Sequence, residues 1–288
     1  MANILKDFSD ATTALARTAA ERVVAVSGRD RGGSSGIIVK PGVIVTAEEA
    51  LESDDEVEVT LPNGQTAKAS IAGRDPSTDV AVLRVEGAAA SEPVAAAIPQ
   101  AGAIVVGVGR VGKDVVAALG SIALVGDAWR SSQGGQIDAM IRADITLRRA
   151  TEGGALVDAE GKLVGMAVFG PRRRVLAIPY ATIVRATEQI LAHGSVARGY
   201  VGVSVQPVAV EGGRGAIVVG LDAEGPAKKA GVLLGDIVLT WNGETVNGTR
   251  AIIDRLGPSS VGQAVKLGLS RAGNPVEVSL SVAARPSA

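Results

Sequence analysis

The chain has 288 residues, enough for two domains of ordinary size, and its 47% hydrophobic content excludes a disordered polypeptide. Lys and Arg number 29 against 30 Asp and Glu, so no overall field recruits nucleic acid or an acidic membrane, and any charge-based partner must be met locally. The absence of cysteine removes disulfides, thiolate nucleophiles and cysteine-based metal sites together, and no cofactor or metal is expected.

From the N-terminus, Met1 to Phe8 shows no basic region leading into an apolar run, and no later segment approaches a membrane span. The chain as written is expected to be cytoplasmic; a trimmed signal or anchor would place it in the cell envelope. Ile4, Phe8, Ala11 and Leu15 recur at helical spacing and predict a short amphipathic helix. From Val23 to about Pro179 the sequence reads as short Val- and Ile-rich strands separated by Gly, Pro, Asn and Asp, the pattern of a barrel or sandwich. Pro62-Asn63-Gly64 lies between two alternating runs, a hairpin signal because Asn and Gly accept positive φ. Ile183, Val184, Thr187, Ile190 and Leu191 then share one helix face, ended by Gly194. A second set of strands follows from Arg198, with a helix expected over Thr249 to Leu256.

Several ordered segments carry a resemblance to a known family. Gly36-Ile37-Ile38-Val39 with Val43-Ile44-Val45-Thr46, Asp75-Pro76-Ser77-Thr78-Asp79-Val80-Ala81-Val82-Leu83, Gly153-Gly154-Ala155-Leu156-Val157 and Gly199-Tyr200-Val201-Gly202-Val203 occur in that order. Together they resemble the HtrA (DegP-like) family of trypsin-fold serine proteases with PDZ domains. The resemblance implies a mainly β protein, a trypsin-like double β-barrel over residues 1–197 followed by a PDZ domain over 198–284. It also places the family's catalytic histidine on Glu49, its aspartate on Asp79 and its serine on Glu152. Only the aspartate is kept.

A triad needs a hydroxyl or thiol nucleophile and a base to take its proton. Neither stands at these positions, and the lone His193 ends the closing helix, where it suits free carbonyls better than catalysis. Thr151, beside the nucleophile position, reads as a loop hydroxyl bonded to nearby backbone. Three converging carboxylates call for raised pKa values, cationic partners or a bound cation. Arg148, Arg149, Arg172, Arg173 and Arg174 are the candidate partners, so a salt-bridged cleft is favoured; a metal site, an acid–base carboxylate pair and a merely solvated arginine loop stay open.

The PDZ resemblance implies that Gly199, Tyr200, Val201, Gly202 and Val203 form a loop of amides for a peptide's terminal carboxylate, with Ile252 and Leu256 lining the pocket for its last side chain. The reading is an HtrA-like pseudoprotease that binds peptide or protein C-termini as adaptor, decoy subunit or scaffold. Assembly as a homo-trimer, or as a hetero-oligomer with an active relative, is expected from the family. The alternative is an active endopeptidase or a carboxylate-based hydrolase with a non-standard site.

Overall fold

The computed structural model of the chain describes residues 3–27, 33–51, 56–196 and 198–285. They divide into two compact units, Met1–Ser131 with Gly135–Val196, and Ser132–Gly134 with Ala197–Ala288. In the first unit α1 (Ile4–Ala20) starts at Asn3, whose side chain accepts from the Lys6 amide at 3.2 Å. It runs a full turn beyond the expected apolar repeat, because Ala16 to Ala20 are good helix formers. Its end is tied down by the buried Arg110, which donates to the carbonyls of Ala20 at 2.9 Å and Val23 at 2.8 Å.

Six strands close the first barrel: β1 (Val23–Val26), β2 (Ser34–Lys40), β3 (Val43–Thr46), β4 (Glu56–Thr60), β5 (Thr66–Asp75) and β6 (Val80–Arg84), in the order β1-β2-β3-β6-β5-β4. The expected hairpin forms, with Thr60 opposite Thr66 and Gly64 at φ 84°. The second barrel is built from β7 (Ile104–Val111), β8 (Asp114–Gly126), β11 (Met140–Asp144), β12 (Ala155–Asp158), β13 (Leu163–Phe169) and β14 (Val175–Pro179), closed as β11-β14-β13-β12-β7-β8. A small ribbon of β9 (Trp129–Arg130) and β10 (Gln136–Ile137) lies between β8 and β11 in the chain. With so few aromatic residues, both barrels are filled by Val, Ile, Leu and Ala, among them the fully buried Ile37, Val45, Leu83, Val105, Leu156 and Met166. The helix α2 (Tyr180–His193) buries Ile183, Ala186 and Ile190 against this core and stops at Gly194, φ 75°.

The second unit contains β15 (Gly199–Tyr200), β16 (Val203–Val210), β17 (Gly213–Leu221), α3 (Pro226–Lys229), β18 (Ile237–Trp241), β19 (Glu244–Thr245), α4 (Thr249–Ile253), β20 (Ala264–Arg271), β21 (Asn274–Ser281) and β22 (Ala283–Ala284). Its main sheet runs β16-β17-β18-β20-β21, leaving β16 as an edge strand. Asn242 at φ 51° and Gly243 at φ 83° make the tight turn between β18 and β19. The chain is thus mainly β, with two closed six-stranded barrels in the first unit and a smaller sheet with short helices in the second, the architecture the resemblance implied.

One element is shorter than the sequence suggests. α4 ends at Ile253, so Leu256 does not share a helix face with Ile252. The last turn tightens through bonds from Arg255 to Ile252 and Leu256 to Ile253, and Gly257, extended before Pro258 at φ −71° and ψ 174°, stops any continuation. Both side chains nevertheless pack into the same core cluster.

Candidate functional site

The three positions that the resemblance assigns to a triad come from different turns and meet where the two barrels abut. Glu49 lies in the 3₁₀ turn Glu48–Ala50, directly after β3. Asp79 closes the turn between β5 and β6. That turn is organised by buried Asp75, which accepts from the Ser77 amide at 3.0 Å and the Thr78 hydroxyl at 2.6 Å. The wrap leaves Asp79 at φ 57°, uncommon for a non-glycine residue though tolerated by aspartate, and its carboxylate accepts from the Glu49 amide at 3.0 Å. Glu152 ends the 3₁₀ turn Arg149–Thr151 just before β12. The turn is clamped to the first barrel, since the Ser35 amide donates to the Glu152 carbonyl at 2.7 Å and the Ser35 hydroxyl donates to the Ala150 carbonyl at 2.9 Å. Gly153, φ 83°, follows; a Cβ there would stand 2.3 Å from the Ser35 carbonyl oxygen, so no side chain fits between the barrels.

The electrostatics follow from this crowding. Burial, and after it the charges of Glu49, Glu152 and Glu48, push the Asp79 carboxyl up to about 7, against the lowering effect of the Glu49 amide. Glu152 is also raised, mainly by burial, while the Phe169 amide, which donates to its Oε1 at 3.2 Å, and the charges of Arg149 and Arg173 pull it down. The structure therefore brings Glu49, Asp79 and Glu152 within electrostatic reach of one another.

The expected salt-bridged plug is not formed. Among the described residues, none of Arg148, Arg149, Arg172, Arg173 and Arg174 lies within ion-pair distance of Glu49 or Glu152, and all five are exposed. The reason is local. Glu152 is met by a backbone N–H from β13, Arg173 sits over the Phe169 ring at 5.2 Å from its centroid, and Arg172 and Arg173 take left-handed φ of 60° and 55°. The cation that does join the acidic group is Arg74 on β5, paired with Glu48 at 3.1 Å and largely buried. Sequence reasoning missed this pair, although Glu48 stands beside Glu49 and Arg74 beside Asp75. Among the described residues no group of three acidic or histidine side chains has metal-holding geometry.

The amides of the turn are also engaged. Thr151 donates to Arg148 O at 2.9 Å, Glu152 to Arg149 O at 3.0 Å, Gly153 to Ala167 O at 2.8 Å and Gly154 to Thr151 O at 3.1 Å. An acyl-transfer site needs donors aimed at a developing oxyanion, and the Glu152 amide points into its own turn instead. The buried Thr151 hydroxyl donates to Arg148 O at 2.6 Å. His193 is exposed at the end of α2.

In the second unit the loop Gly199 to Val203 joins β15 to edge strand β16. Among the described residues, the amides of Val201 and Gly202 donate to no protein acceptor, while their carbonyls accept from Ala227 at 2.8 Å and Asp222 at 3.0 Å. Gly202 sits at φ 75°, and a Cβ on it would be 2.8 Å from Gly225 Cα. The Tyr200 hydroxyl donates to Asp222. Beside the free edge of β16, Val203, Val205, Ile252 and Leu256 belong to one apolar cluster, and Thr249 Oγ1 donates to the Val205 carbonyl at 3.4 Å. This is a sheet edge flanked by a helix, with unengaged amides at one end.

Comparison with known proteins agrees with both halves. Residues 34–166 match the trypsin-like peptidase domain and residues 199–282 the PDZ domain. A probable periplasmic serine endoprotease, DegP-like, from Brucella suis is 30% identical over 282 residues, covering 88% of this chain and 53% of the relative. The Bartonella henselae counterpart is 31% identical over 274 residues, with the same coverage. The chain thus spans about half the length of these relatives. Among solved structures, the HtrA-type protease AlgW with a decapeptide superposes with a TM-score of 0.76 at 23% identity, covering 96% of this chain and 99% of that one. The serine endoprotease from Yersinia pestis gives 0.76 at 24% identity, covering 96% and 98%. The chain therefore carries a trypsin-like peptidase domain followed by a single PDZ domain, and its homologues are DegP-like serine endoproteases of the HtrA type.

Proposed function

We propose that this chain is a pseudoprotease of the HtrA family, whose trypsin-like domain (residues 1–197) cleaves nothing and whose PDZ domain (198–284) binds the C-termini of peptides or proteins. The observation that carries the first half is the turn at position 152. It presents a carboxylate where a nucleophile is needed, with Glu49 in place of the base, and its amides 151 to 154 are all engaged within the protein. A carboxylate held above its usual range by burial is a poor substitute for a hydroxyl activated by imidazole.

The second half rests on the unengaged Val201 and Gly202 amides at the head of an edge strand. A peptide added along β16 completes that edge, replacing the long Thr249 bond to Val205, and its carboxylate takes the loop amides. Such a protein serves as an adaptor, a scaffold or a non-cleaving subunit among copies of itself or an active relative.

The test is fluorescence polarisation with peptides ending in an apolar residue, each made with a free carboxylate and with a C-terminal amide. The free acid is expected to bind at least about tenfold more tightly, since the amide leaves loop donors unmatched. Gly202→Val removes this difference, because its side chain intrudes on Gly225. Equal affinity for acid and amide would refute C-terminal recognition.

A further inference from the structure

Five guanidinium groups rim the cleft without serving it. Arg148, Arg149, Arg172, Arg173 and Arg174 are exposed, and among the described residues no acidic group lies within ion-pair distance of any of them. Several arginines elsewhere have an acidic partner, Arg74 with Glu48, Arg185 with Asp138, Arg255 with Glu244 and Arg271 with Asp236, whereas these five, clustered in two neighbouring turns, have none among the described residues. The unmatched set is therefore a local positive surface on a chain whose net charge is −1.

The two arginine segments belong to one surface. The turn that follows Arg148 is bonded to the end of β13 through Phe169 N to Glu152 Oε1 at 3.2 Å and Gly153 N to Ala167 O at 2.8 Å. Arg172 to Arg174 occupy the tight connection from β13 to β14, closed by the Gly170 amide on the Arg174 carbonyl at 2.8 Å. Glu152 lies between them and senses the charges of both Arg149 and Arg173. Two features point to a use for the guanidinium heads rather than a casual loop. Arg172 and Arg173 hold left-handed backbone that glycine or asparagine would adopt with less strain, and Arg173 is steadied over the Phe169 ring. Like charges carried on neighbouring turns repel one another, and an anionic partner relieves that repulsion.

We propose that this arginine rim is a second docking surface, specific for acidic polypeptide segments and separate from the PDZ groove. The guanidinium fork matches a carboxylate in bidentate geometry. A short run of Asp and Glu side chains meets the rim at separate points. A continuous phosphodiester backbone fits less well, because the chain, at net charge −1, has no broad positive field to draw a long polyanion.

The test uses the full chain and fluorescein-labelled hexaglutamate with an amidated C-terminus, which deprives the PDZ loop of its carboxylate. Anisotropy at low salt, about 50 mM, is expected to show saturable binding that weakens steeply at about 300 mM. The triple variant Arg172→Glu/Arg173→Glu/Arg174→Glu weakens it by about tenfold or more, and Arg148→Gln/Arg149→Gln by about threefold, both from exposed positions that leave the fold intact. Gly202→Val leaves it unchanged, so this result is independent of the outcome for C-terminal recognition. The proposal is overturned by absence of saturable binding at low salt, by affinity indifferent to the arginine substitutions, or by loss of binding in Gly202→Val. Tighter, equally arginine-dependent binding of a polyphosphate or single-stranded RNA of matched charge would also overturn it, assigning the rim to another polyanion.

Discussion

Replacing Asp79 with Asn is expected to stabilise the protein at pH 8 and to change little at pH 4. The Asp79 carboxyl is pushed up to about 7 from an ordinary 3.8, chiefly by burial and then by its acidic neighbours. The sign follows from proton linkage. Below about pH 4 the group is protonated in both folded and unfolded chains and no penalty exists. As pH rises from about 4 to about 7, the unfolded chain releases the proton while the folded chain retains it, so stability falls; above that range the full penalty applies. A difference of this size corresponds to an upper bound of about 4 kcal/mol, and relaxation and solvent around the half-buried group reduce it to roughly 2 to 3 kcal/mol. Asn keeps an oxygen for the Glu49 amide and removes the charge. Glu152→Gln acts in the same direction, because its carboxyl is also raised and has no ion-pair partner to lose. Urea unfolding at pH 4, 6 and 8 checks this: parallel pH profiles for wild type and Asp79→Asn would show that the carboxylates are not strained.

A larger loss is expected in the PDZ domain on replacing Asp236 with Ala. The Asp236 side chain is 1% exposed and accepts from Arg271 Nε and from its terminal nitrogen, each at 2.8 Å, and from the Leu233 amide at 2.8 Å. Arg271 also donates to the Gly231 carbonyl at 2.8 Å, so one ion pair joins the loop after α3 to the end of β20. Removing the acid strands a partly covered guanidinium and a loop amide, at a cost of about 3 to 4 kcal/mol. The Arg271 guanidinium beside it holds Asp236 below the usual carboxylate range, so this contribution is present above about pH 4 and is lost as pH falls through the lower folded value. In a Trp129→Phe background the buried Trp241 reports the PDZ transition alone, and its urea midpoint should drop sharply at pH 7 and far less in acid. An unchanged midpoint would mean that the loop is held by its apolar contacts.

The fold was legible because its signals are local. Asn63-Gly64 and Asn242-Gly243 announce turns through the φ they tolerate, and Gly194 announces a helix end. Alternating Val and Ile runs between such residues mark the strands of both barrels. That Glu49, Asp79 and Glu152 come together was legible too, because Thr46, the run from Asp75 to Leu83 and Gly153-Gly154 frame them. What could not be read is where side-chain heads go. Glu152 bonds to the Phe169 amide rather than to an arginine because folding lays β13 beside its turn, and no feature near residue 152 in sequence encodes that. Glu48, in the turn after β3, pairs with Arg74 on β5, a contact between segments far apart in sequence. Leu256 leaves the helix face in a last turn tightened by bonds from Arg255 to Ile252 and Leu256 to Ile253, which apolar spacing alone does not register.

The central claim is that the trypsin-like domain does not cleave peptide bonds, and the most direct measurement is mass spectrometry of unfolded casein incubated with the purified chain, with Glu49→Gln/Glu152→Gln run in parallel. The account predicts no new peptide termini beyond those in a protein-free control, from either protein. New termini produced by the unaltered chain and absent with the double variant would contradict it, since they would show that the carboxylates at positions 49 and 152 perform hydrolysis.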